Sequence, residues 1–247
     1  MQNEDEDRER FIYSAYAQSI GATLEKPTKT FLTDGPGASL PITGGYISHT
    51  KEALHFAVGA AEIVRVGRAS ATVLGEERDD HFVSSAIATV EKLNILDIVT
   101  ADRVVAKVTS LFPKRLEDVD TSRKGFRRNP AFLSDPEGDY HPAHFFISGS
   151  HFDNLKINGV CYDCKLESPE EEEAGFMVMN SESKRELIFK GEHHQKIPIR
   201  QFGTVHLGEK FKYGGKVVLS MIRVELGCPQ SGSVSAANAS ANGKNGY

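Results

Sequence analysis

The chain has 247 residues, 39% of them hydrophobic and 26% charged, and a formal net charge of −5. That length is ample for one large all-β domain or two small ones with a real core. The mild acidic balance excludes the basic footprint of a nucleic-acid binder, and no apolar run reaches the roughly 18 residues that a membrane helix needs.

In chain order, "MQNEDEDRER" (1–10) is a charged tail without the apolar core of a signal peptide. This fits a cytoplasmic protein or a mature fragment. "RFIYSAYAQSIGATLE" alternates as a strand does. The stretch from Gly44 to Gly75 holds one or two further strands, although its Lys51 to Val64 portion also tolerates a short helix. Ser84 to Ser110, "SSAIATVEKLNILDIVTADRVVAKVTS", contains no glycine or proline and reads as a long strand pair. Its alternating Ala and Ser through Thr89 predict a face packed closely against a second sheet. Residues 113–142 form a long polar loop, a length that is usually functional or mobile. The run "SPEEEEAG" at 168–175 repels itself and predicts a solvated hairpin tip. Then come "GFMVMN", "RELIFKG", "QKIPIRQFGTVHLG" and "KVVLSMIRVEL", short β-type runs bounded by turn residues. From Pro229 the chain is small, polar and glycine-bearing, which predicts a flexible tail over 229–247. The expected fold is therefore mainly β: one domain over 11–228, built of stacked sheets as a β-sandwich or a short β-solenoid.

An internal echo supports the stacking. "TVEKLNILD" aligns with "HFDNLKING", matching Leu93 to Leu155 and Ile95 to Ile157. Alternate side chains of an extended chain share a face, so all four residues should enter one core.

The segments "SSAIATVEKLNILDIVTADRVVAKVTS", "NLKING", "IPIRQFGTVHLGE" and "GGKVVLSMIRVEL" occur in an order that resembles the choice-of-anchor P family of bacterial surface proteins. Ile98 to Asp102 supply its "I/V-T-A-D" element, Leu155 to Gly159 its "N-G" element and Gly203 to Leu207 its "G-T-V-x-L" element. The resemblance implies an extracellular or cell-surface setting; the charged composition keeps a cytoplasmic one as the alternative, and the strand-rich architecture, with its sheet edges, suggests partners that are surface macromolecules or further copies of the chain. It implies no established reaction.

Several constellations invite a chemical reading. "HPAH" with "CYDC" places His141, His144, Cys161 and Cys164 as two ligand pairs, a spacing that suits tetrahedral zinc. The plainer reading is loop histidines beside a cysteine pair at a strand end. With Cys228 the cysteines number three, which cannot all pair within one chain, so no disulfide framework is implied. A redox role for "CYDC" would need a following helix to lower a thiol pKa, and none is predicted. Ser150, His151 and Asp153 make no triad, because neighbours on a strand face opposite ways and the G-x-S-x-G elbow is missing. His193, His194 and His206 lack a third ligand at a recognisable spacing. "SRKGFRR" at 122–128 could grip an anion, but its acidic neighbours favour a solvated loop. "DGPG" at 34–37 has no helix behind it to cradle phosphate, so no organic cofactor is implied. The expected role is a noncatalytic assembly or binding module acting through sheet edges. The rival is a cofactor-independent isomerase- or cyclase-like enzyme with a pocket between the sheets, for which Tyr13, Tyr16, His55, Asp102 and His206 are the residues to inspect.

Overall fold

The computed structural model describes residues 11–32, 35–114, 143–166, 176–180, 186–188, 195–213, 215–227 and 229–242. The polar loop beyond residue 114, the glutamate run, His141, His193, His194 and Cys228 lie outside them. The described residues form strands and turns, in two antiparallel sheets packed face to face as a β-sandwich.

One sheet is seven-stranded. Its path runs from β14 (Gln195–Ile199) through β15 (Gly203–Tyr213), β16 (Lys216–Leu226), β17 (Ser231–Asn242) and β1 (Ala15–Lys26) to β2 (Thr30–Leu32), and β3 (Gly37–Ser39) also pairs with β1. The other sheet is ten-stranded. Its long strands are β4 (Gly45–Val58), β5 (Ala61–Glu77), β6 (His81–Ile95) and β7 (Val99–Pro113), in that order from one edge. Beyond β7 follow β10 (Leu155–Ile157), β11 (Val160–Leu166), β12 (Phe176–Asn180) and β13 (Glu186–Ile188), while β8 (His144–Phe146) and β9 (His151–Asp153) also pair with β7.

The alternation of Ala and Ser is what lets the sheets approach. Ala69, Ala71, Ala86, Ala88 and Ala106 on one sheet, and Ala17, Ala239 and Ala241 on the other, are almost completely buried. At one end Phe11 stacks on Phe82, with ring centroids 4.5 Å apart and planes inclined by 3°, and Tyr13 meets both rings edge-on.

Two expectations from the sequence are corrected here. The segment from Pro229 forms β17, which lies between β16 and β1 and pairs with both over most of its length. Its Ser/Ala/Asn composition suits the narrowest part of the sandwich, where Ala236, Ala239 and Ala241 leave room for the opposing sheet. The Lys51 to Val64 portion is an extended hairpin with Gly59 (φ 62°) in its turn, and takes no helical form. Of the two stacked architectures the chain forms the sandwich, and the echoed segments lie in one of its sheets on either side of β7.

The echo proves to be structural. Lys92 and Asn154, which align, have φ values of 53° and 51°. The aligned turn pairs Leu96–Asp97 and Asn158–Gly159 also have positive φ, as a two-residue hairpin turn of this hand requires. A third copy, "EALHF" from Glu52, places Ala53 at φ 51° ahead of the buried Leu54 and Phe56. At this row the buried positions step once by three instead of two: Val66 to Ala69 in β5, Val90 to Leu93 in β6, and Ala101 to Val104 in β7. In the seven-stranded sheet the buried parity also changes, from Ala17 to Ile20 in β1, Leu219 to Ile222 in β16 and Ala236 to Ala239 in β17, although Ser19, Met221 and Ala237 between them are buried too. Each strand thus changes which parity of residue enters the core, and the changes are aligned across each sheet.

Candidate functional site

The phase change has a consequence on the outer face of the ten-stranded sheet. Where the buried positions step by three, two successive residues face away from the core, and in this row at least one of each pair is charged. The pairing register sets Glu52 opposite Arg68, Arg68 opposite Glu91, Glu91 opposite Arg103 and Arg103 opposite Asp153. Directly opposed residues share a face and have Cβ atoms about 4.5–5.5 Å apart, so the five make a ladder of alternating sign across β4, β5, β6, β7 and β9. Arg68 Nε lies 3.2 Å from Glu52 Oε1. Beside the ladder Asn154 Nδ2 donates to Asp102 Oδ2 at 2.5 Å. The Lys92 side chain lies over Gly67, where an added Cβ would come within 3.0 Å of Lys92 Cδ.

The ladder ends on an open edge. Among the described residues β4 pairs only with β5, and nearly every residue from Gly45 to Ala53 is exposed. In an antiparallel strand every second residue turns its N–H and C=O away from its one neighbour, so among the described residues β4 presents backbone groups along one side that no second strand pairs with. It carries no proline to blunt this edge. Its outward side chains align in rows with β5: Thr50 opposite Ser70, Ser48 opposite Thr72 and Tyr46 opposite Leu74. Ser48 and Thr72 share a hydroxyl hydrogen bond of 2.8 Å. Tyr46 and the nearby Ile42 are 66% and 67% exposed, large apolar surfaces at one end of the edge.

A second cluster occupies β15 and β16. His206 is paired directly with Arg223, on the strand face opposite the core residues Val205, Leu207, Ile222 and Val224. Gly208, at φ 62°, breaks the alternation and brings Glu209 to the same side. Arg223 grips Glu209 with two 2.7 Å hydrogen bonds, from Nε and Nη2, and donates from Nη1 to Glu225. The imidazole lies between the two carboxylates, 3.5 Å from Glu209 and 3.3 Å from Glu225. Burial, reinforced by the Arg223 charge, holds the His206 pKa below its ordinary value against the pull of both carboxylates. The Arg223 hydrogen bond holds Glu225 below the usual carboxylate range. With His206 and Glu209 only 2% and 1% exposed while Arg223 and Glu225 reach solvent, this set is a half-buried ion network tying two strands together, and its imidazole is out of reach of a substrate in this conformation.

The residues that the sequence nominates do not converge. Tyr13 belongs to the aromatic cluster, where burial raises its pKa. Tyr16 is exposed on β1. His55 is exposed on β4, with Nδ1 2.7 Å from Glu62. Asp102 is exposed beside the ladder, and His206 is buried in its network. The three described members of the zinc set also stay apart. His144 pairs with Leu111 near one end of β7, whereas Cys161 sits opposite Lys156, which meets Thr100 near the other. At about 3.3 Å per residue those ends are roughly 35 Å apart along the strand. Cys161 is exposed and Cys164 buried, as an odd spacing on one strand dictates. Burial, aided by the Asp163 charge, pushes the Cys164 thiol up to about 12. Among the described residues no group of three or more His, Cys, Asp or Glu could hold a metal ion, and no helix is long and apolar enough to cross a membrane.

The ladder itself escapes a sequence reading, because its rungs become neighbours only through the register. The available signal is the thrice-repeated acid two residues before a buried apolar position, at Glu52, Glu91 and Asp153, of which the echo discloses two. In comparisons with known proteins, a family model described as a domain of unknown function (DUF8256) is similar to residues 11–125. No curated protein and no solved structure matches the chain.

Proposed function

We propose that this protein is a noncatalytic interaction module that binds a partner macromolecule, further copies of itself included, by accepting an extended strand along β4. The observation that carries this reading is the fourteen-residue edge strand paired on one side only among the described residues. Strand addition draws affinity from main-chain hydrogen bonds and specificity from alternate side chains, and so needs no enclosed pocket. The resemblance to choice-of-anchor P proteins supplies a setting in which such a module would act at a cell surface.

Sedimentation velocity of the full chain tests the assembly form of this reading. Concentration-dependent association is expected at high micromolar protein. Proline at successive edge positions, Ser48→Pro and His49→Pro, removes in turn an N–H pointing toward β5 and one pointing outward. The variant that loses the outward N–H should keep the fold by circular dichroism and lose the association. Monomeric sedimentation throughout, unaffected by either proline, overturns self-assembly through this edge.

A further inference from the structure

We infer that β4 selects its incoming strand by charge: the added strand carries Arg or Lys opposite Glu52, with hydroxyl side chains opposite Thr50 and Ser48. This rests on the reading of β4 as an acceptor edge and adds what that edge recognises.

Every internal rung of the ladder has an opposite charge on each side. Arg68 lies between Glu52 and Glu91, Glu91 between Arg68 and Arg103, and Arg103 between Glu91 and Asp153. Glu52 is the rung at the open edge, flanked by Arg68 on one side, and among the described residues no strand lies on the other. A cation delivered there continues the alternation, whereas an acid meets Glu52 as a like charge directly opposite, which is destabilising. The rows beside it set the rest of the pattern. An antiparallel strand that runs as β5 does would place its successive outward residues opposite Glu52, Thr50, Ser48 and Tyr46. β5 itself answers these four with Arg68, Ser70, Thr72 and Leu74. The recognised pattern is therefore a cation, a hydroxyl, a hydroxyl and an apolar residue at every second position.

The same argument narrows the partner. In a symmetric pairing of two β4 strands, residues of one face meet residues of that same face, so before the phase change Glu52 would meet Tyr46, Ser48, Thr50 or Glu52 of the second copy, and beyond it His55. None of the first four is a cation, Lys51 lies on the other parity, and His55 is held by Glu62 of its own chain at 2.7 Å. The strand that completes the ladder is one other than β4.

The test uses the full chain and a labelled nonapeptide of the Gly67–Gly75 sequence, GRASATVLG, with binding read by fluorescence anisotropy. A second peptide carries Glu in place of its Arg. The wild type should bind the Arg peptide about fivefold more tightly than the Glu peptide, the effect of one favourable against one unfavourable cross-strand charge pair. Glu52→Arg should reverse the preference, and Glu52→Gln, which introduces no repulsion with Arg68, should bind both peptides alike. Binding that ignores charge in all three proteins overturns the charge rule while leaving β4 as an acceptor. Failure of every peptide to bind every protein overturns the acceptor reading, and the charge rule with it.

Discussion

Replacement of Leu93 by Ala tests the phase change on which the outer face depends. If β6 alternated without interruption from Val90, Lys92 would enter the core and Leu93 would face solvent. In the structure Leu93 is 2% exposed and Lys92 is exposed. Leu→Ala removes three carbons, about 2.4 kcal/mol at roughly 0.8 kcal/mol per buried carbon. A cavity term adds to this wherever the surroundings cannot collapse. Leu93 lies in β6, hydrogen-bonded on both sides by β5 and β7, so little relaxation is available, and a loss of about 3–4 kcal/mol is expected. Leu155→Ala, at the aligned position of the echo and 1% exposed, should cost a similar amount. Lys156→Ala, exposed between two core residues, should change stability by less than about 0.5 kcal/mol. Urea unfolding followed by circular dichroism measures all three. A Leu93→Ala midpoint indistinguishable from wild type would refute the phase change, and with it the placement of the ladder.

Deleting residues 231–247 removes a central strand and should abolish the cooperative thermal transition; a truncated chain with a wild-type melting curve would contradict the position of β17. His206, its pKa lowered below 6.5 by burial, is neutral in the folded state over a range where the unfolded chain takes up a proton. Stability should therefore be fully present above about pH 6.5 and fall as the pH drops from there toward the lowered folded value. His206→Gln should flatten the melting temperature across that window, leaving the lower loss as Glu225, also depressed, is protonated. In a Cys228→Ser background an aromatic disulfide reagent at pH 8 should titrate Cys161 rapidly and Cys164 only on unfolding, since the latter is buried with its thiol pushed up to about 12; two thiols reacting at one fast rate would refute that burial.

Fold class was legible because β-branched runs, turn residues and Ala/Ser alternation all point one way. The triplets at Leu93–Ile95 and Leu155–Ile157 were legible for the same reason: burial leaves an apolar signature at a fixed period. β17 was not. Gly, Asn and Ala are depleted in strands generally, and only the tight gap between the sheets makes small residues the fitting ones there. The left-handed residues were half legible. Asn154, Asn158 and Gly159 are residue types that adopt positive φ, whereas Ala53, Lys92 and Leu96 carry no such signal, and their conformation is imposed by the pairing of the strands that they lie in or join. The ladder depends on which residue faces which across five strands, a relation that no local pattern encodes.

That relation also explains why the charges sit at the phase change. An exposed ion pair contributes little to stability, about 0–1 kcal/mol, so the ladder is a poor candidate for holding the sheet together. Register is another matter. A slip of one residue sends every side chain of a strand to the wrong face, and here each strand changes face at one point, which must coincide with the change in its neighbours. A slip of two residues preserves the faces but would move Arg68 from Glu91 to Thr89 and leave Glu91 opposite the wrong rung. Alternating charges at the phase change penalise both errors at the place where an error does most damage. The edge strand presents the last rung of the same code, Glu52, beside backbone groups that a new strand can pair with. An incoming strand therefore meets the rule that aligned β5 with β4, and it is held in register only if it supplies the cation that Arg68 supplies.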